Sequence, residues 1–522
     1  MLMAMKTKIR FALLISFVIL AAIPAVAQER WLHVYYQTVK KAPQPNTSLM
    51  IPFSGGGYLG AGPTAGSAPV IIWRADKHGN LLWIKEYWKT GFTWRLLDNG
   101  GGTFTFIVPG GIFTCDASGN PLTHAAYSLS DGGMFTDFAR GSNGDLYVLN
   151  MYLSLMRVDG TTGAPLWTRD YDPAPTSFGI QATPDGGVVL GGATENIPNG
   201  TELIKVDADG NLQWAHRYES PSTQPAPILA ATAEGSLLLA LQDSNGGSIL
   251  MRLDTSGNIL WQEELTYPDY PAMGPAIIHG IKACADGTIL LWGLTGTEPG
   301  GQYPSEQPFL EALDASGTPI WCQIYGSKAI SPDSGVYAAI PSSEGYVFAS
   351  VGRDEHQWPY QYGPSLSSVD LSGAAPETCP SQALAVAARP TAFAVLPAQL
   401  TIRDWPGSYS VPYELHPVDV QGIRDDLICG DAFPAILTGT KLQDPFRLKL
   451  TGWNFQEGSA AFINGVQAPS ATYKGKDAKT SQTKMVIGGG NQLKALLPKG
   501  QPVCITIQNP DGHSSDCFTF TR

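Results

Sequence analysis

The chain has 522 residues, which is too long for a single ordinary domain. Its 58 glycines and 40 prolines make up about 19% of the positions, against roughly 12% in average proteins, while charged residues reach only 15% and aromatic residues 10%. This composition excludes a coiled coil, a basic nucleic-acid-binding protein and a charge-driven disordered chain, and it favours many short strands joined by Gly/Pro turns.

The first 27 residues have the pattern of a secretory signal peptide. Three basic residues, Lys6, Lys8 and Arg10, precede an apolar run over residues 11–22, and the small residues Ala-Val-Ala follow at 25–27. The apolar run is shorter than the roughly 20 residues that a membrane-spanning helix needs. We therefore predict cleavage after Ala27, a secreted or periplasmic location, and no integral membrane segment after signal removal.

Charge is unevenly distributed along the chain. The net charge is -12, residues 1–27 carry three positive charges, and residues 434–522 carry ten Lys or Arg against five Asp or Glu, which leaves -20 for residues 28–433. An acidic body followed by a basic tail predicts a domain boundary near residue 434, and it argues against nucleic acid as a partner of the body.

One line of sequence recurs seven times across the body. Its clearest copies are LIKVDADGNLQW at residues 203–214 and MRLDTSGNILW at residues 251–261. The anchoring aspartates are spaced by 40 to 60 residues, and they are Asp76, Asp116, Asp159, Asp207, Asp254, Asp314 and Asp370. Seven copies at this period predict a repeat fold with four short strands per unit.

Each unit contains two turns with recognisable sequences. In the unit of residues 176–218, strands are predicted at 177–183, 187–192, 202–206 and 212–218. The aspartate of the Asp-x-x-Gly-Asn turn is expected to accept backbone N–H bonds, and its glycine to take a positive φ. This turn role is preferred to a calcium site, because the position of Asp209 is a serine in other copies. The tryptophan after the turn is expected in a fourth, outermost strand that packs on the next unit.

The seventh unit lacks its tryptophan strand and has Cys379 in that neighbourhood, whereas an unassigned strand with a tryptophan, residues 31–36, precedes the first unit. We predict that this N-terminal strand pairs with the strand ending near Asp370. It would thereby close a ring with no exposed sheet edge.

The repeat line and the Asp-Gly-Gly strand before it resemble the seven-bladed β-propeller repeats of secreted bacterial proteins and, more remotely, quinoprotein-like propellers. The resemblance covers residues 31–380 and implies a propeller over residues 28–380. Quinoprotein dehydrogenases commonly have eight units, and many have adjacent cysteines beside the cofactor. This chain has seven units and no adjacent cysteines, so no cofactor is predicted.

Residues 434–522 resemble an IPT/TIG immunoglobulin-like domain, because G-W-N-F-Q-E-G at 452–458 and N-P-D-G at 509–512 stand in that family's order. The resemblance implies a β-sandwich that acts as a spacer, a dimerising unit or an accessory module, without catalytic residues. Its net charge of +5 is interpreted as a solvated lysine-rich face in preference to a surface for an anionic partner. Residues 381–433 are predicted to be a connecting β segment.

Seven cysteines leave at least one unpaired, and export permits disulfides. Cys504 and Cys517 are placed to face each other across a hairpin. Cys379 and Cys429 bracket the connecting segment, where a crosslink would close a loop of about 50 residues. The remaining cysteines, Cys115, Cys284 and Cys322, have no predicted partner.

No catalytic residue and no metal ligand is predicted from the residue pattern. One region is a candidate binding site, because the connection between the second and third strands lengthens in the last two units, at 295–303 and 353–362. The second of these carries side chains suited to a sugar or a peptide, namely Arg353, His356, Trp358, Tyr360 and Tyr362. A self-packed surface loop is the alternative.

The sequence thus predicts an all-β protein, a seven-bladed propeller followed by an immunoglobulin-like sandwich. The predicted function is non-catalytic binding, adhesion or scaffolding in the bacterial envelope or extracellular space, with a glycan or a protein as ligand. The alternative is a propeller enzyme, either polysaccharide-acting or a quinoprotein-like oxidoreductase, which would need a deep central pocket with converging carboxylates and shifted pKa values.

Overall fold

The computed structural model of the chain is built almost entirely from antiparallel strands. It describes residues 30–37, 49–63, 69–88, 95–108, 111–128, 135–150, 153–172, 176–193, 200–219, 227–242, 248–267, 277–295, 307–325, 335–342, 344–354, 361–376, 379, 381–391, 394–397, 401–404, 409–411, 417–419, 423–442, 445–477 and 481–522. Among these residues, no helix is both long and apolar enough to cross a bilayer.

The described residues up to Asp370 form 28 strands. They are β1 (Trp31–Gln37), β2 (Leu49–Pro52), β3 (Tyr58–Pro63), β4 (Pro69–Ala75), β5 (Leu81–Trp88), β6 (Leu96–Gly100), β7 (Thr103–Val108), β8 (Gly111–Asp116), β9 (Pro121–Ser128), β10 (Phe135–Arg140), β11 (Leu146–Asn150), β12 (Ser154–Val158), β13 (Pro165–Asp172), β14 (Thr176–Ala182), β15 (Val188–Ala193), β16 (Gly200–Val206), β17 (Leu212–Glu219), β18 (Ile228–Ala231), β19 (Leu237–Gln242), β20 (Ser248–Leu253), β21 (Ile259–Thr266), β22 (Ile277–Ala283), β23 (Ile289–Thr295), β24 (Gln307–Leu313), β25 (Pro319–Tyr325), β26 (Ala338–Pro341), β27 (Gly345–Asp354) and β28 (Gln361–Asp370).

These strands form a β-propeller of seven sheets, or blades. Blades 1 to 6 are β2–β5, β6–β9, β10–β13, β14–β17, β18–β21 and β22–β25, each numbered from the inner to the outer strand. The inner strand of each blade contacts the preceding blade in order, and β26 of blade 7 contacts β2 of blade 1, so the ring is closed. The apolar clusters lie between neighbouring blades, as alternating strand residues of two facing sheets require.

Blade 7 is completed by the N-terminal strand, as the sequence predicts. Strand β1 pairs antiparallel with β28, placing Leu32 opposite Ser367 and Val34 opposite Ser365. Trp31 and Tyr35 are almost fully buried. The two ends of the propeller chain therefore meet in one sheet.

Among the described residues, blades 1, 3, 4 and 6 are each fastened to the next blade by two side chains of the fourth strand. In blade 4, Trp214 Nε1 donates to the Thr255 carbonyl at 2.9 Å and the Tyr218 hydroxyl donates to the Gly257 carbonyl at 2.5 Å, both in the Asp-x-x-Gly-Asn turn of blade 5. We call this arrangement the Trp–Tyr joint. It recurs for Trp83 and Tyr87, Trp167 and Tyr171, and Trp321 and Tyr325. Each such hydrogen bond contributes about 1 kcal/mol.

The glycine of the turn is required at these joints for two reasons. Gly373 has a φ of +75°, which side chains with a Cβ disfavour. A Cβ at this position would also lie 2.5 Å from the ring of Trp321. The ring of one blade thus occupies the space that a side chain in the next blade would need.

Residues 381–430 form a belt around the whole propeller, and here the prediction of a connecting segment between domains was incomplete. The belt strands are β29 (Ser381–Ala383), β30 (Ala387–Pro390), β31 (Ala394–Pro397), β32 (Thr401–Asp404), β33 (Tyr409–Val411), β34 (Pro417–Asp419) and β35 (Ile423–Gly430). In chain order they pair with the fourth strands of blades 6, 5, 4, 3, 2, 1 and 7. The chain therefore runs once around the ring in the reverse direction and gives every blade a fifth strand.

The sequence predicted the tryptophan strand to be the outermost strand of each blade. This prediction was wrong, because a belt strand lies outside it. Its free backbone edge bonds to the belt, which leaves the shorter belt strands as the edges. Several of these carry proline or charge, as in Pro390, Arg403 and Asp419, residue types that hinder further strand pairing. The disulfide Cys379–Cys429 joins the two ends of the belt, as predicted, so that the belt forms a covalent hoop.

Residues 434–522 form two four-stranded sheets around a common core. The elements are β36 (Ala435–Leu442), β37 (Arg447–Trp453), β38 (Ala460–Ile463), β39 (Val466–Gln467), β40 (Ser470–Lys476), β41 (Thr483–Gly488), α1 (Gly490–Leu496), β42 (Pro502–Gln508) and β43 (Phe518–Thr521). The first sheet has the order β36-β37-β41-β40 and the second β39-β38-β42-β43. We call this unit the C-terminal sandwich. Leu448, Met485, Ile505 and Ile507 are among its buried core residues.

The predicted disulfide Cys504–Cys517 is present in the C-terminal sandwich. The predicted register was wrong, however, because Cys504 lies opposite Thr519 and Cys517 precedes strand β43. The three other cysteines, Cys115, Cys284 and Cys322, are free thiols, two of them buried.

Candidate functional site

The seven blades give the propeller two chemically different faces. Within each blade, the connections from first to second strand and from third to fourth strand emerge on one side, which we call the turn face. The connections from second to third strand, and from each blade to the next, emerge on the other side, which we call the loop face. This separation follows from the antiparallel order of the strands.

The turn face is built from the repeated aspartate turns. Asp207 Oδ1 accepts the backbone N–H groups of Asp209 and Asn211 at 2.9 and 2.8 Å, and its Oδ2 accepts Asn211 Nδ2 at 3.0 Å. Burial acts to raise the pKa of Asp207, but the hydrogen bonds from Asn211 and Asp209 outweigh it and hold the pKa below its ordinary value. These bonds confirm the turn role of the motif.

The predicted ligand loop lies on the loop face of blade 7. Strands β27 and β28 are paired without interruption. Their last two pairs are Arg353 with Tyr362 and Asp354 with Gln361. The loop tip, residues 355–360 with His356, Trp358 and Tyr360, lies outside the described residues, as do the side chains of Arg353 and Tyr362. The structure thus fixes the base of this loop, and the grouping of the five side chains remains a prediction.

A charged pair lies at the start of the inner strands, on the loop face, and was missed by the sequence analysis. Arg95 Nε contacts Asp137 Oδ1 at 2.8 Å, and Asp137 Oδ2 accepts the Arg95 Nη2 and the backbone N–H of Ile180. Burial raises the pKa of Asp137, and the Arg95 charge only partly offsets this. The pair ties blades 2, 3 and 4 together. An aspartate between the two phenylalanines of an inner strand, Phe135 and Phe138, is the sequence signal that would have indicated it.

His279 is the second polar group found near the loop face. It occupies a register shift in β22 between Ile278 and Gly280, its Nδ1 lies 2.8 Å from the Val336 carbonyl, and its ring stacks on Tyr337 with centroids 4.9 Å apart. Burial lowers the pKa of His279. Register shifts of this kind are common next to binding sites because they redirect a side chain.

Glu311 is another buried carboxyl group between blades. It is fully buried between blades 5 and 6, where burial raises its pKa to about 8 and the Tyr267 hydroxyl donates to its Oε2 at 3.1 Å. Asp137 and Glu311 thus lie in different blade interfaces. Their positions match structural groups between sheets better than one converging catalytic centre.

The C-terminal sandwich docks on the turn face of blade 1. Trp453 Nε1 donates to the Leu81 carbonyl at 2.6 Å, and Asn454 Nδ2 donates to Asn80 Oδ1 at 3.0 Å. Phe433 stacks on His78 with centroids 4.0 Å apart. This contact buries a turn that is exposed in most other blades.

A cleft of about 400 Å³ remains between the sandwich and blades 1 and 2. Its walls include Trp83 and Arg74 from the propeller and Phe518 from the sandwich. The Arg74 guanidinium donates to the carbonyls of Ala117 and Gly55 at 3.0 and 2.5 Å, so much of its donor capacity is used by the protein itself. The equivalent groove between blades 4 and 5 measures about 230 Å³ and is lined by propeller residues alone.

Residues 72–273 match the family described as outer membrane protein assembly factor BamB. This match covers less than half of the chain and falls within the propeller. No curated protein matches the sequence.

Several solved structures are similar to this chain. Virginiamycin B lyase from Staphylococcus aureus, a catalytically inactive variant with quinupristin, is 16% identical, covering 65% of this chain and 99% of its own, with a TM-score of 0.43. The extracellular domain of a protein assigned to the hybrid two-component systems of B. thetaiotaomicron is 9% identical, covering 93% of this chain and 58% of its own, with a TM-score of 0.43. A protein of unknown function from Bacteroides caccae is 14% identical, covering 54% and 93%, with a TM-score of 0.35.

Proposed function

We propose that the chain is a secreted, non-catalytic binding protein whose propeller presents the loop of residues 355–360 to a glycan. In this proposal residues 1–27 are a signal peptide, residues 28–380 the propeller, and residues 434–522 an IPT/TIG-like sandwich that serves as a spacer. The ligand meets Trp358, Tyr360 and the flanking loop residues on the loop face.

The observation that carries this proposal is the length of the blade 7 hairpin. Strands β27 and β28 form ten residue pairs, whereas the corresponding strands of the other blades form four to seven. At about 3.3 Å per residue, three additional pairs extend the strands by roughly 10 Å. A paired base of this kind holds an aromatic loop away from the ring at little entropic cost on binding.

The rigidity of the ring supports a presenting role. Trp–Tyr joints, the belt and the Cys379–Cys429 bond restrain the blades against one another. Binding residues commonly lie on loops that such a scaffold positions. The family matched by residues 72–273 is described as an assembly factor, which also supports a binding role over catalysis.

A glycan array with the purified protein tests the proposal, using Trp358→Ala and a control variant on the opposite face. We expect the best glycan to lose at least about fivefold in affinity with Trp358→Ala, because one stacked aromatic ring contributes roughly 1–3 kcal/mol. Leu260→Ala removes an exposed side chain on the turn face and is expected to change affinity less than twofold. Absence of any glycan signal, or a signal that Trp358→Ala leaves unchanged, would contradict the proposed loop.

A further inference from the structure

The C-terminal sandwich has all of its strand-borne charge on one sheet. Strands β36, β37, β40 and β41 contain six basic residues and no Asp or Glu, namely Lys441, Arg447, Lys449, Lys474, Lys476 and Lys484. The strands of the other sheet, β38, β39, β42 and β43, contain no charged residue. A solvated surface evenly covered with charge would show no such segregation.

Strand alternation places most of these cations on the outer surface of the first sheet. In β37 the inward residues Leu448 and Leu450 are fully buried, while Arg447 and Lys449 point the other way. Lys449 lies opposite Val486 in β41, so Lys484 is its diagonal neighbour, about 7–8 Å away. Lys474 in β40 is exposed beside them. We call Arg447, Lys449, Lys474 and Lys484 the basic sheet face.

Hydroxyl groups fill the positions between the cations. Thr440 is the cross-strand partner of Lys449, and Thr451 that of Lys484. Thr472 lies in the same row as Lys449, opposite Val486. Lys484 makes one ion pair, with Asp477 at 3.2 Å. The surface therefore offers a flat array of cations and hydroxyl donors.

Apart from Asp477, two acidic residues of the sandwich lie near the propeller. Asp516 contacts Lys77 of the propeller at 3.3 Å, and Asp511 accepts Gln456 Nε2 at 2.8 Å near the same docking region. Strand β37 ends at Trp453, which contacts the propeller, and begins at Arg447 six residues away, roughly 20 Å along the strand. The basic sheet face thus extends away from a propeller portion whose sequence carries a charge of -20.

We propose that the basic sheet face binds an acidic polysaccharide, a linear polymer with carboxylate groups along its length. Paired Lys and Arg charges attract the carboxylates, and the threonine hydroxyls bond to sugar hydroxyls. The acidic propeller repels the same polymer, so it is directed to the sandwich. An acidic glycan suits this surface better than a single-stranded nucleic acid, because the aromatic ring in β40, Tyr473, packs against the core and offers no outer stacking platform. The site is independent of the propeller loop.

Binding of polygalacturonate to the full chain at low salt tests this inference, with neutral dextran, duplex DNA and phosphatidylglycerol vesicles as comparison probes. The variant Arg447→Gln/Lys449→Gln/Lys474→Gln is expected to raise the Kd for polygalacturonate at least tenfold. The matched control Lys494→Gln/Lys499→Gln/Arg522→Gln removes the same charge outside the strands and is expected to raise it less than twofold. Thr440→Lys adds a cation to the face and should tighten binding.

Three outcomes would overturn the inference. If polygalacturonate binds no more strongly than dextran, the basic sheet face is not a binding site for acidic polysaccharide. Equal weakening by the two triple variants makes the attraction a non-specific effect of net charge. Duplex DNA or anionic vesicles bound as tightly as polygalacturonate assign the face to a different class of polyanion.

Discussion

The joint between blades 7 and 1, to which blade 7 contributes the N-terminal strand β1, and the joint between blades 4 and 5 share a tyrosine contact and an aspartate turn in different surroundings. Tyr35 donates to the Gly79 carbonyl at 2.5 Å, as Tyr218 does to that of Gly257. Asp76 accepts the backbone N–H groups of His78 and Asn80, as Asp254 accepts those of its own turn. The first joint lies beneath the C-terminal sandwich and next to the disulfide, and the second faces solvent.

This difference in burial shifts the pKa values of the two equivalent aspartates in opposite directions. Burial raises the pKa of Asp76 despite its hydrogen bonds and the nearby His78. At Asp254 burial also acts upward, but the bonds from Asn258 and Ser256 outweigh it and lower the pKa. In the exposed turn, hydrogen bonds stabilise the charged form of the aspartate. In the turn covered by the sandwich, burial outweighs these bonds and disfavours the charged form. The reinforcement lies beside β1, the strand of blade 7 that strand pairing alone joins to the rest of its blade.

The largest expected effect is the loss of the belt closure. Cys379→Ser/Cys429→Ser should destabilise the propeller by about 4 kcal/mol in the chain-entropy model, since a 50-residue loop is opened. Cys504→Ser/Cys517→Ser opens a 13-residue loop and should cost about 3 kcal/mol within the sandwich. Denaturant unfolding followed by tryptophan fluorescence separates the two, because 12 of the 13 tryptophans precede residue 434. Equal effects of both variants on the propeller transition would contradict this.

A smaller contrast is expected between the two turn aspartates. Asp76→Ala leaves buried N–H groups of His78 and Asn80 without an acceptor, at a cost of about 3 kcal/mol, while Asp254→Ala exposes its N–H groups to water and costs about 1 kcal/mol. Melting temperatures of the two variants measure the difference. In a Trp453→Ala background, which weakens docking of the sandwich, the difference should shrink. If it persists unchanged, the sandwich is not the cause.

The smallest contrast concerns pH. The raised pKa of folded Asp76 means that its contribution to stability falls as pH rises from the ordinary value of 3.8 through the folded pKa. The lowered pKa of Asp254 gives a contribution that is present above 3.8 and lost as pH falls through the folded value. Relative to wild type, Asp76→Asn should therefore become more stable from pH 3 to 7, and Asp254→Asn less stable. Parallel melting curves of both variants across that range would refute the assignment.

Much of the propeller was predictable because its signal is local and repeated. The strands of residues 176–218 were predicted within about two residues of β14 to β17, since Gly and Asp punctuate each turn. The N-terminal latch was also predictable, because Trp31 and Tyr35 have the spacing of Trp214 and Tyr218. Blade 7 lacked a fourth strand and β1 had no blade of its own, so placing β1 in blade 7 accounted for both observations.

The belt and the buried polar groups were not predictable. All belt strands except β35 are three or four residues long, and Ser381–Ala383 is exposed throughout, so these short strands carry no recognisable alternating apolar pattern. Their pairing is fixed by the unsatisfied backbone edge of a neighbouring blade. Asp137 and Glu311 likewise depend on partners from other blades, Arg95 and Tyr267, that no spacing rule connects.

The sequence by itself determined the number of blades, the turn chemistry and the two disulfides, because these depend on residue types at short or repeated spacing. The tertiary structure alone decided that residues 381–430 encircle the ring, that the sandwich covers Asp76, and that the sandwich's basic residues share a sheet face. These features depend on which backbone edges and surfaces meet in space. The contacting segments are far apart in the sequence, so no local residue pattern predicts that they meet.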